Sequence, residues 1–172
     1  MKEIEIKILD INVEEIRTKL LSLGAEKTFE GDIHAVFFDS PRNKLKNQGN
    51  TLRVRKIGEK TELCFKGKKE EGPFKIRPEI EVITNNFSNT LKILEHSGFI
   101  KSKGRRKIRE SYQLNNVKFD IDFNVGIPAY LEIEAANEKI VEKYVKKLGF
   151  SMAEISNLSS GEVIKLYNEQ KN

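Results

Sequence analysis

The chain has 172 residues, 38% of them hydrophobic and 33% charged, which is enough for one domain (1–172) with a real core and leaves a second domain unexpected. Lys and Arg outnumber Asp and Glu by 31 to 26, a net charge of +5 that favours anionic partners without choosing among nucleic acid, a membrane surface and phosphate-bearing small molecules. A single cysteine, Cys64, excludes an internal disulfide and a cysteine-based zinc cluster, and with two histidines any metal here needs oxygen ligands.

Met1-Lys2-Glu3 leads straight into a strand, without an apolar leader and with no long apolar run behind it, so a soluble, cytoplasmic protein is expected. In that strand Ile4, Ile6 and Ile8 line one face and Glu3, Glu5 and Lys7 the other. Asn12 with Glu15 reads as a helix N-cap and its partner, followed by an apolar stripe of Val13, Ile16, Leu20, Leu21 and Leu23 that ends at Gly24. Short strands are expected near 25–29 and at 34–38, closed by the turn signal Asp39-Ser40-Pro41, with 42–50 loop-like. Strands over 51–57 and 61–66 flank a hairpin turn at Gly58, and one over 75–83 carries Pro78, which argues for an edge or a bulge. Helices are expected at 88–97, ending at Gly98, and at 138–148, capped by Asn137. Between them lie a hairpin of 106–114 and 117–124 through Asn115-Asn116 and a strand over 130–135. Ser159 and Glu162 have the spacing of a capping box for a last helix.

The strands share one habit. Arg53 and Arg55, Glu79 and Glu81, Lys107 and Arg109, Asp120 and Asp122, and Glu132 and Glu134 each alternate with apolar residues. Either these rows face water on a one-sided slab, or a sheet of about eight antiparallel strands curls into a barrel, an α+β fold with a charged interior and helices outside. Burying so many charges without a ligand costs several kcal/mol per ion, so an interior of this kind is a place for water, metal and anion. Carboxylates without His or Cys suit Mg²⁺ or Mn²⁺, and arginine forks and lysines suit phosphate oxygens.

Six stretches in order, Glu3-x-Glu5-x-Lys7, Leu52-Arg53-Val54-Arg55, Phe65-Lys66-Gly67, Arg77-x-Glu79-x-Glu81, Lys107-x-Arg109, and Asp122 ahead of Leu131-Glu132-Ile133-Glu134, resemble the CYTH family. That family joins class IV adenylyl cyclases with thiamine triphosphatases and tripolyphosphatases on the triphosphate tunnel metalloenzyme fold. The resemblance implies a closed antiparallel tunnel and a divalent-metal enzyme acting on a triphosphate. The first expectation is conversion of ATP to cyclic AMP and pyrophosphate; the alternative is hydrolysis of thiamine triphosphate, inorganic tripolyphosphate or a nucleoside triphosphate. It also implies roles: Glu3, Glu5, Glu132 and Glu134, with Asp122 or Glu81, hold Mg²⁺ or Mn²⁺, while Lys7, Arg53, Arg55, Lys66, Lys107 and Arg109 grip the substrate. Glu3, Glu5, Lys7 and Arg109 are expected at the reacting centre. The chain departs from its relatives at His34-Ala35-Val36-Phe37, where they often carry Asp and Tyr.

Other readings carry weaker support. Acids interleaved with bases, no Trp and no basic helix face with aromatic platforms speak against nucleic acid, and no feature points to a membrane. A non-enzymatic polyphosphate-binding module predicts binding without turnover. A homodimer is the default assembly. Arg105, Arg106, Asp120, His34 and His96 are read as structural or solvent-facing, and Cys64 as a small strand residue and not a nucleophile.

Overall fold

The computed structural model describes residues 2–171, with side chains from position 4 onward. In chain order it holds β1 (Lys2–Ile8), α1 (Val13–Ser22), β2 (Glu26–Asp39), α2 (Lys44–Asn47), β3 (Thr51–Ile57), β4 (Lys60–Lys66), β5 (Lys75–Thr84), α3 (Phe87–His96), β6 (Ile100–Lys101), β7 (Arg105–Leu114), β8 (Val117–Phe123), β9 (Tyr130–Ala135), α4 (Glu138–Lys147), β10 (Ile155–Ser156) and α5 (Ser160–Glu169). The strands hydrogen-bond in the order β1-β5-β4-β3-β2-β7-β8-β9. β9 pairs back onto β1, Ile4 with Ala135 and Ile8 with Leu131, so eight strands close into an antiparallel barrel, as expected. Closure leaves none of these eight as an open edge.

The helices start where the caps were read. Asn12 accepts from the Glu15 amide, Asn137 from the Ile140 amide, and Ser159 and Glu162 form the complete reciprocal capping box. Two strand readings change. The segments at 25–29 and 34–38 are one 14-residue strand, β2, because the backbone stays extended through Gly31 and Asp32 although its first half is largely exposed. Pro78 does not mark an edge, since β5 pairs with β1 on one side and β4 on the other. The β4–β5 ladder stops at Lys66 opposite Glu79, so the absent N–H of Pro78 falls one residue beyond it. There the Pro78 carbonyl accepts from the Gly67 amide at 2.8 Å, and the proline ring packs so close that a Cβ at Gly67 would meet it at 3.2 Å. Arg77 ties the same corner, donating to Gly67 O at 2.6 Å and Gly49 O at 2.9 Å.

The chain divides into two compact units, each with its own core. The first gathers 31–69 and 77–107 around Val36, Phe38 and Val54, with Leu91 and Leu94 of α3 packed against them. The second gathers 3–30, 70–76 and 108–172 around the apolar faces of β1, β8 and β9, where Ile6, Phe119, Ile121 and Ile133 are fully buried beneath Ile16 and Leu20 of α1 and Val141 and Val145 of α4. These helices cover the apolar rows, so the charged rows of the same strands are turned the other way.

In the second unit a polar clamp fastens α1 to β7. Arg17 donates through Nε to Glu110 at 3.0 Å, the Tyr112 hydroxyl donates to the same carboxylate at 3.0 Å, and Lys27 stands 3.4 Å away. The Arg17 bonds, against the penalty of burial, draw the Glu110 carboxyl down to about 2. A carboxyl lowered in the folded state stabilises the protein above its unfolded pKa, near 4.3, and that contribution is lost as pH falls through the folded value. Chemical denaturation from pH 7 to pH 2 is therefore expected to show stability declining below about pH 4.5. Glu110→Gln should lower stability at pH 7 by about 2–3 kcal/mol and flatten that acid limb; an unchanged limb would exclude the clamp as its source.

Candidate functional site

In the second unit the row begun by Glu5 and Lys7 is buried, with side-chain exposures of 2% and 1%. The Lys7 ammonium lies 2.7 Å from Glu5 Oε1 and 2.8 Å from Glu132 Oε2, and Lys75 makes a further short contact to Glu5. β7 and β8 add a second cation. Arg109 forks onto Asp122 at 2.6 and 2.7 Å, donates also to Asp120, and reaches Glu132 at 3.4 Å. Asp120 accepts on its other oxygen from Ser111 Oγ at 2.5 Å, and Lys118 stands 3.0 Å from the oxygen that Arg109 takes.

The first unit has its own row. Glu62 on β4 accepts from Arg53 at 2.8 Å and lies 2.7 Å from Arg55, both on β3. Two positions on, Cys64 donates its thiol hydrogen to Glu79 at 2.8 Å, and Lys66 lies 2.9 Å from the same carboxylate. Glu62, Cys64 and Glu81 bring one ligand atom each within 4.8 Å of one another.

Burial and charge pull these groups in opposite directions. Desolvation pushes the Lys7 ammonium and Arg109 guanidinium down, but Glu132 and Glu5 for the first, and Asp122, Asp120 and Glu132 for the second, outweigh it, and both are raised. They stay charged at any physiological pH. Desolvation raises Glu62, but Arg55 and Arg53 more than compensate and leave it lowered. Burial first, then Glu62 and Glu79, raises Glu81, and burial lifts the Cys64 thiol to about 12, so it stays protonated and is no nucleophile.

Among the residues expected at the site, Glu5, Lys7, Arg109, Asp122 and Glu132 come together in the second unit, and Arg53, Arg55 and Lys66 lie in the first. Glu134 is half-buried in the second unit, directly opposite Glu5 on the β1–β9 ladder. Lys107 is half-buried in the first unit, where Glu81 is exposed. Glu3 lies on β1, but its side chain falls outside the described residues. Sequence reading missed Glu62, Lys75 and Asp120. Glu62 alternates with Leu63 on the parity of Lys66, a signal that was available; Asp120, read as structural or water-facing, is 1% exposed and engaged by Arg109. Arg106, as expected, is exposed.

The second unit's acids are oxygen donors, the kind that hard divalent cations take, while the group of described residues whose ligand atoms converge is Glu62, Cys64 and Glu81 of the first unit. On one face the second unit carries five carboxylates, Glu5, Asp120, Asp122, Glu132 and Glu134, against Lys7, Lys75, Arg109 and the more exposed Lys118. Glu5 and Glu134 stand cross-strand, a like-charged pairing that costs stability unless a cation accompanies it. Both oxygens of Asp122 already accept from Arg109.

The model of the CYTH domain matches residues 1–165. A Methanocaldococcus jannaschii protein described as an adenylate cyclase candidate is 30% identical over 146 residues, covering 83% of this chain and 82% of its own. Among solved structures, a Pyrococcus horikoshii protein is 25% identical with a TM-score of 0.78, covering 94% of this chain and 98% of its own. A Hippeastrum protein described as an adenylyl cyclase candidate with a dominant triphosphatase activity shares the fold at 18% identity, with a TM-score of 0.67 and coverage of 98% and 96%.

Removing Arg109 leaves buried carboxylates without their cation. Arg109→Ala is expected to cost about 3–5 kcal/mol in urea unfolding, whereas Arg109→Met with Asp122→Leu, which removes both signs, should cost clearly less than the single change. A loss below about 1 kcal/mol for Arg109→Ala would show that these charges are solvated.

Proposed function

Because the chain belongs to the CYTH family, we propose that it is a divalent-metal-dependent enzyme acting on a triphosphate, converting ATP to cyclic AMP and pyrophosphate. The observation that carries the reading is the burial of both signs of charge on the strand faces of each unit, an arrangement that adds little stability and suits a highly charged ligand. The similarity of the M. jannaschii relative supports the cyclase direction.

In this reading, as the family resemblance implies, Arg53, Arg55, Lys66, Lys107, Lys7 and Arg109 bind phosphate oxygens, and Glu62 accepts from Arg53 and Arg55 until the substrate replaces it. Glu3, Glu5, Glu132 and Glu134, with Asp122 or Glu81, hold Mg²⁺ or Mn²⁺. Such an ion supplies neutralisation of phosphate charge. Lys7 and Arg109, raised and permanently cationic, stabilise the negative charge that builds on the departing pyrophosphate and cannot serve as bases. The ribose 3′-hydroxyl attacks the α-phosphorus, the bond to the β-phosphate bridging oxygen breaks, and the hydroxyl proton passes to a carboxylate or to solvent. The same residues serve the second reading, triphosphate hydrolysis, in which water attacks the terminal phosphorus.

Incubation with ATP and Mg²⁺ or Mn²⁺ is expected to yield cyclic AMP and pyrophosphate, and EDTA to abolish them. ADP and phosphate instead would establish the hydrolase, and tight tripolyphosphate binding without turnover under either metal would overturn both. Arg55→Ala should lower kcat/KM on the order of a hundredfold.

A further inference from the structure

The chain's excess of positive charge is gathered in one place. Residues 39–46 and 100–106 hold seven cations, Arg42, Lys44, Lys46, Lys101, Lys103, Arg105 and Arg106, and one acid, Asp39, a net +6 in a chain whose total is +5. All other residues together therefore sum to −1. The seven cations are exposed, and among the described residues only Lys101 meets a carboxylate, Glu95 at 3.1 Å. Both stretches lie in the first unit and are fastened to the end of β2. Ser102 donates to the Phe37 carbonyl through its amide at 2.9 Å and its hydroxyl at 3.1 Å, and Asp39 accepts from the amides of Leu45 at 2.8 Å and Lys46 at 3.0 Å. The acid of the patch is thus spent on backbone amides, where it holds the lysines in place without pairing with them.

Between the two stretches is a cavity of about 570 Å³, with Phe37, Asn43, Lys46, Thr51, Lys103 and Arg105 in its walls. The Arg105 guanidinium stands 5.4 Å from the centroid of the half-buried Phe37 ring. We propose that this surface binds single-stranded nucleic acid as a partner, independently of the triphosphate reading and of the residues that reading uses. In the sequence, alternation of acids with bases spoke against nucleic acid. The alternating rows pair with one another, however, as Glu62 with Arg53, Glu79 with Lys66 and Asp120 with Arg109, and the excess cations occupy a surface of their own.

Charge, shape and chemistry each narrow the partner. Like charges gathered on one surface repel one another, so an excess of this size favours a polyanion over a ligand of one or two charges. A single strand carries one phosphate per nucleotide, and cations on two flanking stretches can follow it. An anionic bilayer is flat and is met by a protruding basic face, whereas this surface is concave. A duplex is read by a helix or a two-stranded ribbon in its groove, but the cations here stand on a four-residue helix and a turn, too short to enter one. An acidic peptide would satisfy the charges and leave the ring unused. The Phe37 and Arg105 planes suit a nucleobase, which stacks on them whatever its identity, and Asn43, Asn50 and Thr51 offer neutral donors and acceptors to base edges and sugar hydroxyls.

The test is fluorescence anisotropy of the full chain with labelled oligo-U, oligo-dT and a mixed-sequence duplex, each of about twelve nucleotides per strand, from about 50 to 200 mM salt. Both single strands are expected to bind more tightly than the duplex. The logarithm of their affinity should fall with that of salt at a slope of about −3 to −4, the value for about five phosphates on a single strand. Lys44→Glu, Lys46→Glu and Lys103→Glu together should weaken binding more than about tenfold and flatten the slope by about 2. The same charge change dispersed over the exposed Lys60→Glu, Lys92→Glu and Lys139→Glu should cost less than about threefold. Phe37→Leu should weaken binding about tenfold and leave the slope as it is. Equal losses in the patch and dispersed variants, no loss in Phe37→Leu, or tighter binding of the duplex, of polyglutamate or of phosphatidylserine vesicles would each overturn the proposal, as would no binding of either single strand. Tripolyphosphate affinity is expected to be the same in the patch variant as in the unsubstituted protein; a parallel loss would make the patch part of the substrate site and overturn it as a partner surface.

Discussion

Lys7 sits between Glu5 and Glu132 at 1% exposure, and the second unit is built so that this ammonium and the Arg109 guanidinium never lack a carboxylate. A buried charge costs several kcal/mol unless its partners are close and well aimed, and here close partners come from different strands. β1 supplies Glu5, β9 Glu132, and β8 Asp120 and Asp122, while Lys75 at the start of β5 brings a further cation to Glu5. The ladder registers are what deliver them: Lys7 is opposite Glu132, and Arg109 opposite Asp122. A slip of one residue would turn every carboxylate onto the apolar side and Ile6, Ile121 and Ile133 onto the charged one. Register, and hence fold, is specified by the charges as much as by the core.

The same constraint shapes the chemistry available. A cation raised by its carboxylate neighbours stays charged, so in the function proposed above Lys7 and Arg109 act by field and position and not by proton transfer. In the first unit Glu62 plays the complementary part. Its carboxylate accepts from both Arg53 and Arg55, and in the function proposed above an incoming phosphate takes its place on the two guanidinium groups. Preorganisation of this kind requires little movement of the arginines and makes Glu62 a competitor of the ligand.

Much of this was legible in the residues. Alternation of charged with apolar residues located β1, β3, β5, β7, β8 and β9 within a residue or two, and the caps at Asn12, Asn137 and Ser159 located three helices, because each signal is local. What needed the fold was partnership. Nothing local distinguishes Asp120 from Asp122; both share parity, and only the position of Arg109 across the ladder shows that one guanidinium holds them both. Lys75 reads as the first residue of a strand, and only the fold shows that it reaches Glu5. Gly31 looks like a break until Ile33 resumes the buried alternation, and Pro78 looks like an edge signal until the ladder is seen to stop one residue short of it.

The two units differ in how fully their apolar faces are covered, and this difference has consequences for motion. In the second unit the large side chains of β1, β8 and β9 lie under α1 and α4, and Tyr112, Phe119, Ile121 and Ile133 are almost wholly shielded. In the first unit the core cluster is Val36, Phe38 and Val54, with Ile33 and Cys64 also buried, while Ile80 and Val82 of β5 are 69% and 53% exposed. Local opening is governed by how many apolar contacts must be given up, so the first unit holds the segments that open at lower free energy. Arg53, Arg55, Lys66 and the cavity beside Phe37 all belong to it. The tightly packed unit thus keeps the carboxylate lattice rigid, as charges without solvent require. The less covered unit carries Arg53, Arg55 and Glu62, the groups that in the proposed function exchange an internal carboxylate for a ligand.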